Sequence, residues 1–199
     1  MTKPRIILAS GSAIRAQILK NAGVPFEIVR PGVDEDDIKH TAKAENLSLE
    51  DLAMRLAEAK CLAVAAQTGG IVIGSDQIME YEGRPYDKPA TMADARERLL
   101  ETQGAAHSLI NAIAVARDGE IIWRNIDRPI LRLRALTPDE IDAYLAEAGP
   151  EILSSVGAYQ IENLGARLFE RVEGDHYAIL GLSLFPLLAQ LRAEGALDY

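Results

Sequence analysis

The chain is short of cysteine, of histidine and of positive charge: it has one Cys, three His, and 21 Lys and Arg against 30 Asp and Glu over 199 residues. Each shortage excludes something. A lone cysteine, Cys61, cannot form an internal disulfide, so the sequence fits a reducing compartment, expected here to be the cytoplasm. Cys61 lies in an apolar helical pattern and reads as core rather than as a nucleophile. The three histidines are scattered, so spacing supports no Ser/His/Asp arrangement, and His107 and His176 read as structural. A net charge of −9 argues against a general nucleic-acid binder, which needs basic surface to neutralise phosphates. It leaves room for a single nucleotide in a locally positive pocket. No apolar run approaches the length of a membrane span. Met1-Thr2-Lys3-Pro4 leads straight into an apolar run, and no signal peptide is expected. The sequence has neither an internal repeat nor a low-complexity tract. A chain of this size makes one large or two-lobed domain and buries about 70% of its unfolded surface.

What is present begins at the amino end. Ile6-Ile7-Leu8-Ala9 reads as a buried strand, and Ile14, Ile18, Leu19 and Ala22 mark one face of a helix that Gly23 can stop. Between them stand Ser10, Gly11, Ser12 and Arg15. Free amides at a helix start favour an anion, a glycine admits a ligand close to the backbone, and a guanidinium fits phosphate oxygens. The segment is either a phosphate grip or an ordinary strand–turn–helix with a serine cap. Further on, Phe26 to Val29 reads as a short strand, and Asp34-Glu35-Asp36-Asp37 as an acidic loop. Ser48 caps an amphipathic helix that Gly69-Gly70 closes. Ile71-Val72-Ile73 reads as a buried strand ending at Gly74-Ser75-Asp76-Gln77, and Ile78 to Tyr81 opens a small hairpin turning at Glu82-Gly83. Thr91 caps a helix that runs to about Gln103. Ser108 to Arg117 and Glu120 to about Leu133 read as a long hairpin turning at Asp118-Gly119. Thr137-Pro138-Asp139-Glu140 starts another helix with a cap, a proline at its first position and a glutamate three after the cap. Irregular strands are expected over 155–180, and a last helix from about Ser183 to Ala193. The pattern gives an α/β fold: a mixed twisted sheet with flanking helices, in two lobes around a central cleft.

Four further positions carry chemistry, each with an ordinary structural reading beside it. Asp76 follows a buried strand, where α/β sheets place ligands, or forms a turn. Asp34-Glu35 can offer oxygens to a divalent cation, or simply face water. Lys60 lies at the margin of an apolar helix stripe and points into a cleft or snorkels outward. Lys88 precedes Pro89, which holds its backbone extended; it is aimed in a fixed direction or is a surface lysine. Taken together, two carboxylates, two lysines, an arginine and a hydroxyl-bearing turn are a kit for hydrolysing a phosphoanhydride.

The ordered set Leu8-Ala9-Ser10-Gly11-Ser12-x-x-Arg15, Asp34-Glu35, Leu56-Ala57-x-x-Lys60, Gly74-Ser75-Asp76-Gln77 and Lys88-Pro89 resembles the Maf family of nucleoside triphosphate pyrophosphatases. Gly157-Ala158-Tyr159, Leu168-Phe169-Glu170-Arg171, Glu173-Gly174-Asp175 and Gly181-Leu182 agree with it, so the resemblance spans almost the whole chain. It implies one two-lobed domain over 1–199 with a nucleotide-binding cleft, and cleavage of a nucleoside triphosphate to monophosphate and diphosphate. It implies a divalent cation, Mg or Mn, and a homodimer, with neither nucleic acid nor membrane as partner. By position, Asp76 matches the proton acceptor and a metal ligand, Glu35 a metal ligand, and Ser10, Ser12, Arg15, Lys60 and Lys88 the substrate-holding residues. One branch of the family acts on dTTP and UTP and another on 7-methyl-GTP. The second tends to carry Gln after the catalytic Asp and Glu in the later loop, which Gln77 and Glu162 match. It also tends to have Trp where this chain has Ile14, and loss of that ring removes a cation–π partner worth roughly 0.5–2 kcal/mol. The expectation is 7-methyl-GTP, with dTTP/UTP, a noncanonical purine triphosphate and a non-catalytic nucleotide sensor of cell division as alternatives. Ala13, Asn111, Ala178 and Ser183 also depart from the residues usual in their segments.

Overall fold

The computed structural model describes residues 3–199; Met1 and Thr2, the start of the expected run-in to the first strand, lie outside the described residues. The chain divides into two units. One is formed by Met1–Gln77, Asn111–Asp127 and Asp175–Tyr199, the other by Ile78–Ile110 and Arg128–Gly174.

The first unit is built on parallel strands. β1 (Ile6–Ala9) pairs with β2 (Glu27–Ile28) on one side and with the start of β3 (Ile71–Tyr81) on the other, in the register Ile6↔Ile71 to Ala9↔Gly74. The carboxyl half of β5 (Ala106–Arg117) pairs antiparallel with β6 (Glu120–Asp127) through a two-residue turn. Asp118 and Gly119 both take positive φ, 53° and 84°, which a tight primed hairpin turn requires. Alternation along the strands divides their side chains between two faces. Ile6, Leu8, Ile71, Ile73, Ile113 and Val115 pack with Ile18 and Leu19 of α1 (Ala13–Asn21) and with Leu187 and Leu191 of α7 (Leu184–Ala193). On the other face lies α3 (Leu49–Ala65), started by Ser48, whose hydroxyl accepts from the Asp51 amide. At Gly74 the strand lies close against α3: a Cβ there would strike the Ala57 carbonyl oxygen and stand 2.7 Å from Cys61 Cβ.

In the second unit the pairing is antiparallel. The amino half of β5 pairs with β7 (Ile130–Leu133), and β7 with β8 (Phe169–Glu173). The end of β3 pairs with β4 (Arg84–Tyr86). Helices α4 (Met92–Thr102) and α5 (Pro138–Ala148) pack on each other, and each starts with a reciprocal capping box, Thr91 with Asp94 and Thr137 with Glu140.

Four expectations need correction. Asp34–Asp37 is not a loop: Asp34 caps α2 (Glu35–Ala44), its carboxylate accepting from the Asp37 amide, and three acidic residues fill the first turn, where the helix dipole favours them. Strand β3 does not end at Gly74-Ser75-Asp76-Gln77 but runs unbroken from Ile71 to Tyr81. The second hairpin strand is not continuous to Leu133; it stops at Asp127, and Pro129, which has no amide proton to give a ladder, precedes β7. Residues 155–180 hold only one strand; the rest is a 3₁₀ turn over Leu164–Leu168, the four-residue helix α6 (His176–Ile179) and loops. Among the described residues, no helix is long and apolar enough to cross a membrane.

Candidate functional site

Ser10 is the first residue past β1 and is buried. Its hydroxyl oxygen accepts from the Ser12 amide at 3.1 Å and from Arg15 Nη1 at 3.3 Å. Ser12 caps α1, its hydroxyl accepting a long 3.5 Å bond from the Arg15 amide. The amides of Ala13 and Ile14 then lie in the first turn, where helix geometry supplies no intrahelical acceptor. Nothing within the protein requires a glycine at 11, since a Cβ there would meet only Arg30 Nε at 3.8 Å.

Arg15 is held from three sides. Nε donates to the Gly181 carbonyl at 2.7 Å, and Nη1 donates to the Ser75 carbonyl at 2.9 Å as well as to Ser10. Burial pulls its pKa below the usual guanidinium value, opposed by the charges of Asp76 and Glu35. Nη2 makes no hydrogen bond among the described residues, so its two protons remain for a ligand. Arg15 is therefore a scaffold residue first, with part of its fork left over.

Lys60 does not snorkel outward. It projects from α3, almost fully buried, with Nζ 2.6 Å from Asp76 Oδ1 and 2.9 Å from Glu35 Oε1. Glu35 is the first residue of α2, and its side chain is 43% exposed, against 11% for Asp76. Asp76 sits in β3 two residues past the last pair with β1, where the strand has lost that neighbour. Its Oδ2 accepts no hydrogen bond among the described residues. Two carboxylates from distant segments thus meet one buried ammonium, Asp76 on its dry side and Glu35 on the side towards water.

Gln77 Nε2 donates to the carbonyls of Ala178, at 2.8 Å, and Ile179, at 3.1 Å, so its amide is held by the backbone of α6. Both amide protons are used, and the carbonyl oxygen is left as an acceptor. Ile14 is partly buried and packs against the core of its unit. The structure therefore brings Ser10, Ser12, Arg15, Glu35, Lys60, Asp76 and Gln77 together in the first unit. Lys88 and Glu162 belong to the second unit, Lys88 exposed between β4 and α4 beside buried Pro89, Glu162 exposed in the turn before Leu164.

Among the described residues no group of three or more His, Cys, Asp or Glu is placed to hold a metal ion. Glu35 and Asp76 are the two carboxylates that meet at Lys60, and both can offer hard oxygens. Cys61 is core: its thiol lies against the Val72 carbonyl, and burial pushes it up to about 12. His107 is buried with Nε2 2.5 Å from the Tyr159 hydroxyl. Sequence reasoning missed Ser75, Gly181 and the structural part played by Asn111 and Ser183. Asn111 carried a signal, as the one amide inside the apolar run Leu109–Ala116.

A family model described as Maf-like protein matches residues 5–194 of the chain. A protein of Caulobacter vibrioides named nucleoside triphosphate pyrophosphatase is 45% identical over 197 residues, 99% of each chain. One of Maricaulis maris with the same name is 47% identical, covering 98% of each. One of Rhizobium meliloti named 7-methyl-GTP pyrophosphatase is 44% identical, covering 98% of this chain and 99% of its own.

Proposed function

The chain belongs to the Maf-like protein family, and from that premise we propose that it is a nucleoside triphosphate pyrophosphatase, with Asp76 as the proton acceptor and 7-methyl-GTP as the favoured substrate. The observation that carries the reading is the ammonium of Lys60 held between Asp76 and Glu35. The lysine in that place commits Oδ1 of Asp76, which leaves Oδ2 to take a proton.

The reaction follows from these groups. A water hydrogen-bonded to Asp76 Oδ2 gives up a proton to it as the water oxygen bonds to phosphorus at the α–β linkage. The α–β bridge breaks, and the bridging oxygen leaves with diphosphate. Arg15 Nη2, the hydroxyls of Ser10 and Ser12 and the first amides of α1 are suited to hold phosphate oxygens and to offset the charge that develops on the leaving group. Lys88 is assigned to the same task by family position only. Glu35 and Asp76 fit a divalent cation of the magnesium kind, which uses one or two carboxylates and takes its other ligands from water and substrate phosphates. When bound, such a cation offsets triphosphate charge and makes nearby water more acidic.

For the base, Gln77 offers an acceptor only. A ring N–H can donate to it, as guanine N1 and uracil or thymine N3 can; adenine and cytosine have no proton there. By family position only, Glu162 is assigned further acceptors for a guanine edge, and the Rhizobium meliloti relative bears the matching name. Ile14 favours the second reading, dTTP and UTP, because it gives a cationic methylated base no aromatic face. The test is release of diphosphate and monophosphate with Mg or Mn across 7-methyl-GTP, GTP, ITP, dTTP, UTP, CTP and ATP. The expected order puts 7-methyl-GTP first and ATP and CTP last. A preference for dTTP and UTP keeps the mechanism and overturns the base assignment. Asp76→Asn is expected to lower kcat at least 10²-fold; turnover near that of the wild type removes Asp76 as the base, and tight binding with no turnover of any substrate makes the protein a sensor.

A further inference from the structure

Asn111 is fully buried in β5, inside an otherwise apolar run. A primary amide in such a place needs partners for two donors and for its oxygen. It has them. Nδ2 donates to the main-chain carbonyl of Asp76 at 3.3 Å and lies 3.5 Å from Ser75 Oγ. Oδ1 accepts from the Ser183 amide at 3.1 Å and from the Ser183 hydroxyl at 2.9 Å. One side chain thus joins the strand segment that carries Asp76 to the loop that leads into α7.

Two details show what this joint does. The carbonyl of Asp76 lies beyond the last β1 pair, so β1 cannot supply its donor, and a side chain does so instead. Ser183 stands at the N-cap of α7 with extended backbone, yet its hydroxyl caps nothing. It is turned to Asn111, and the helix forgoes the stabilisation that a serine cap normally gives. The same loop presents the Gly181 carbonyl, which accepts from Ser75 Oγ at 3.0 Å and from Arg15 Nε at 2.7 Å. Asn111 and Ser183 are therefore bonded to each other at the point where the Asp76 strand and the Arg15-holding loop meet.

We propose that Asn111 is a positioning residue for Asp76, and that Ser183 is the partner that orients it. Asn111 touches no reacting atom. Its amide sets the main chain at Asp76, and hence the direction of the carboxylate, in one frame with the loop that orients Arg15. The inference rests on the nucleotide-hydrolysis reading above.

The experiment is a double-mutant cycle on the full chain with the best substrate of the panel, with thermal unfolding of each variant alongside. Asn111→Leu removes both ends of the joint. Ser183→Pro removes both donors to Asn111, and the φ of −60° at 183 is one that proline adopts. Asn111→Leu is expected to lower kcat about 10- to 100-fold with KM within about threefold of wild type, because orientation of the base is lost while the phosphate-holding groups remain. Ser183→Pro is expected to lower kcat about 3- to 10-fold, and the double variant to be no slower than Asn111→Leu alone. A folded Asn111→Leu protein with kcat within twofold of wild type overturns the proposal, as does a loss confined to KM or to thermal stability. If Asn111→Leu does not fold, Ser183→Pro decides: unchanged kcat in that folded variant overturns it. Losses that multiply in the double variant remove Ser183 from the assignment. An inactive wild type overturns the hydrolysis reading and this inference together, whereas an active wild type beside an indifferent Asn111→Leu overturns this inference alone.

Discussion

Acid should destabilise this protein through His107 before it protonates most of the surface carboxylates. The imidazole is 3% exposed, among Tyr159, Phe169 and the strands of the second unit. Burial lowers its pKa to about 4, against a weaker upward pull from Glu80. Its Nδ1 has no hydrogen-bond partner, so nothing local rewards a proton there. The ring is therefore neutral in the fold, while in the unfolded chain it titrates near its ordinary value of 6.5. Between those values the unfolded state binds the extra proton, so stability rises with pH across this window. The contribution is complete above about pH 6.5 and is lost as pH falls towards 4. A shift of about 2.5 units at 1.36 kcal/mol each gives a loss on the order of 3 kcal/mol. Urea unfolding at half-unit steps from pH 7 to pH 4 measures it, with His107→Phe as the reference, since phenylalanine fits the ring cluster and binds no proton. The wild type should lose about 3 kcal/mol more than the variant over the window. A proton on the buried ring leaves an N–H at Nδ1 with no acceptor beside the Nε2–Tyr159 contact, so amide exchange should rise first around Gly157-Ala158-Tyr159, the segment just before Glu162. Stability curves that stay parallel from pH 7 to pH 4 would refute the reasoning.

Three further outcomes follow from the site. Gly74→Ala puts a Cβ against the backbone of α3 and should cost about 1–3 kcal/mol, read as a fall of about 2–4 °C in Tm per kcal/mol, with kcat falling because α3 carries Lys60. Lys60→Met leaves Asp76 without its counter-ion; a loss of about 3 kcal/mol is expected, the lower end for a broken buried pair because Glu35 stays partly in water. Added Mg should then raise the Tm of Lys60→Met more than that of the wild type, and an equal rise would count against Glu35 and Asp76 as cation ligands. Arg15→Lys cannot reach Gly181, Ser75 and Ser10 at once, so it should destabilise by about 1–3 kcal/mol and raise KM, whereas a silent substitution would deny the scaffold part of Arg15.

The amino-acid sequence by itself determined what a few neighbouring residues can decide. The serine-capped starts of α1 and α3, the Asp118-Gly119 turn and the Thr137 capping box all rest on contacts within about four residues, and all stand as read; strand β1 also stands as read, from its apolar run, although its partners lie far along the chain. The order of its motifs likewise named Ser10, Ser12, Arg15, Glu35, Lys60, Asp76 and Gln77, which the fold gathers in the first unit. Helix α2 was legible too, in Asp34 followed by three acidic residues, but the same charges suit a solvated loop, and what separates the two is packing against α3. Tertiary structure alone decided the rest. Lys60 at the edge of an apolar stripe had two directions open to it, and the choice was made by carboxylates that lie 16 residues away at Asp76 and on another helix at Glu35. That Arg15 would spend most of its fork on carbonyls, one of them 166 residues distant, and that Asn111 would find Ser183 72 residues on, has no local trace. A buried donor takes whatever acceptor the folded chain brings within 3 Å, and that is settled by how the strands and helices pack.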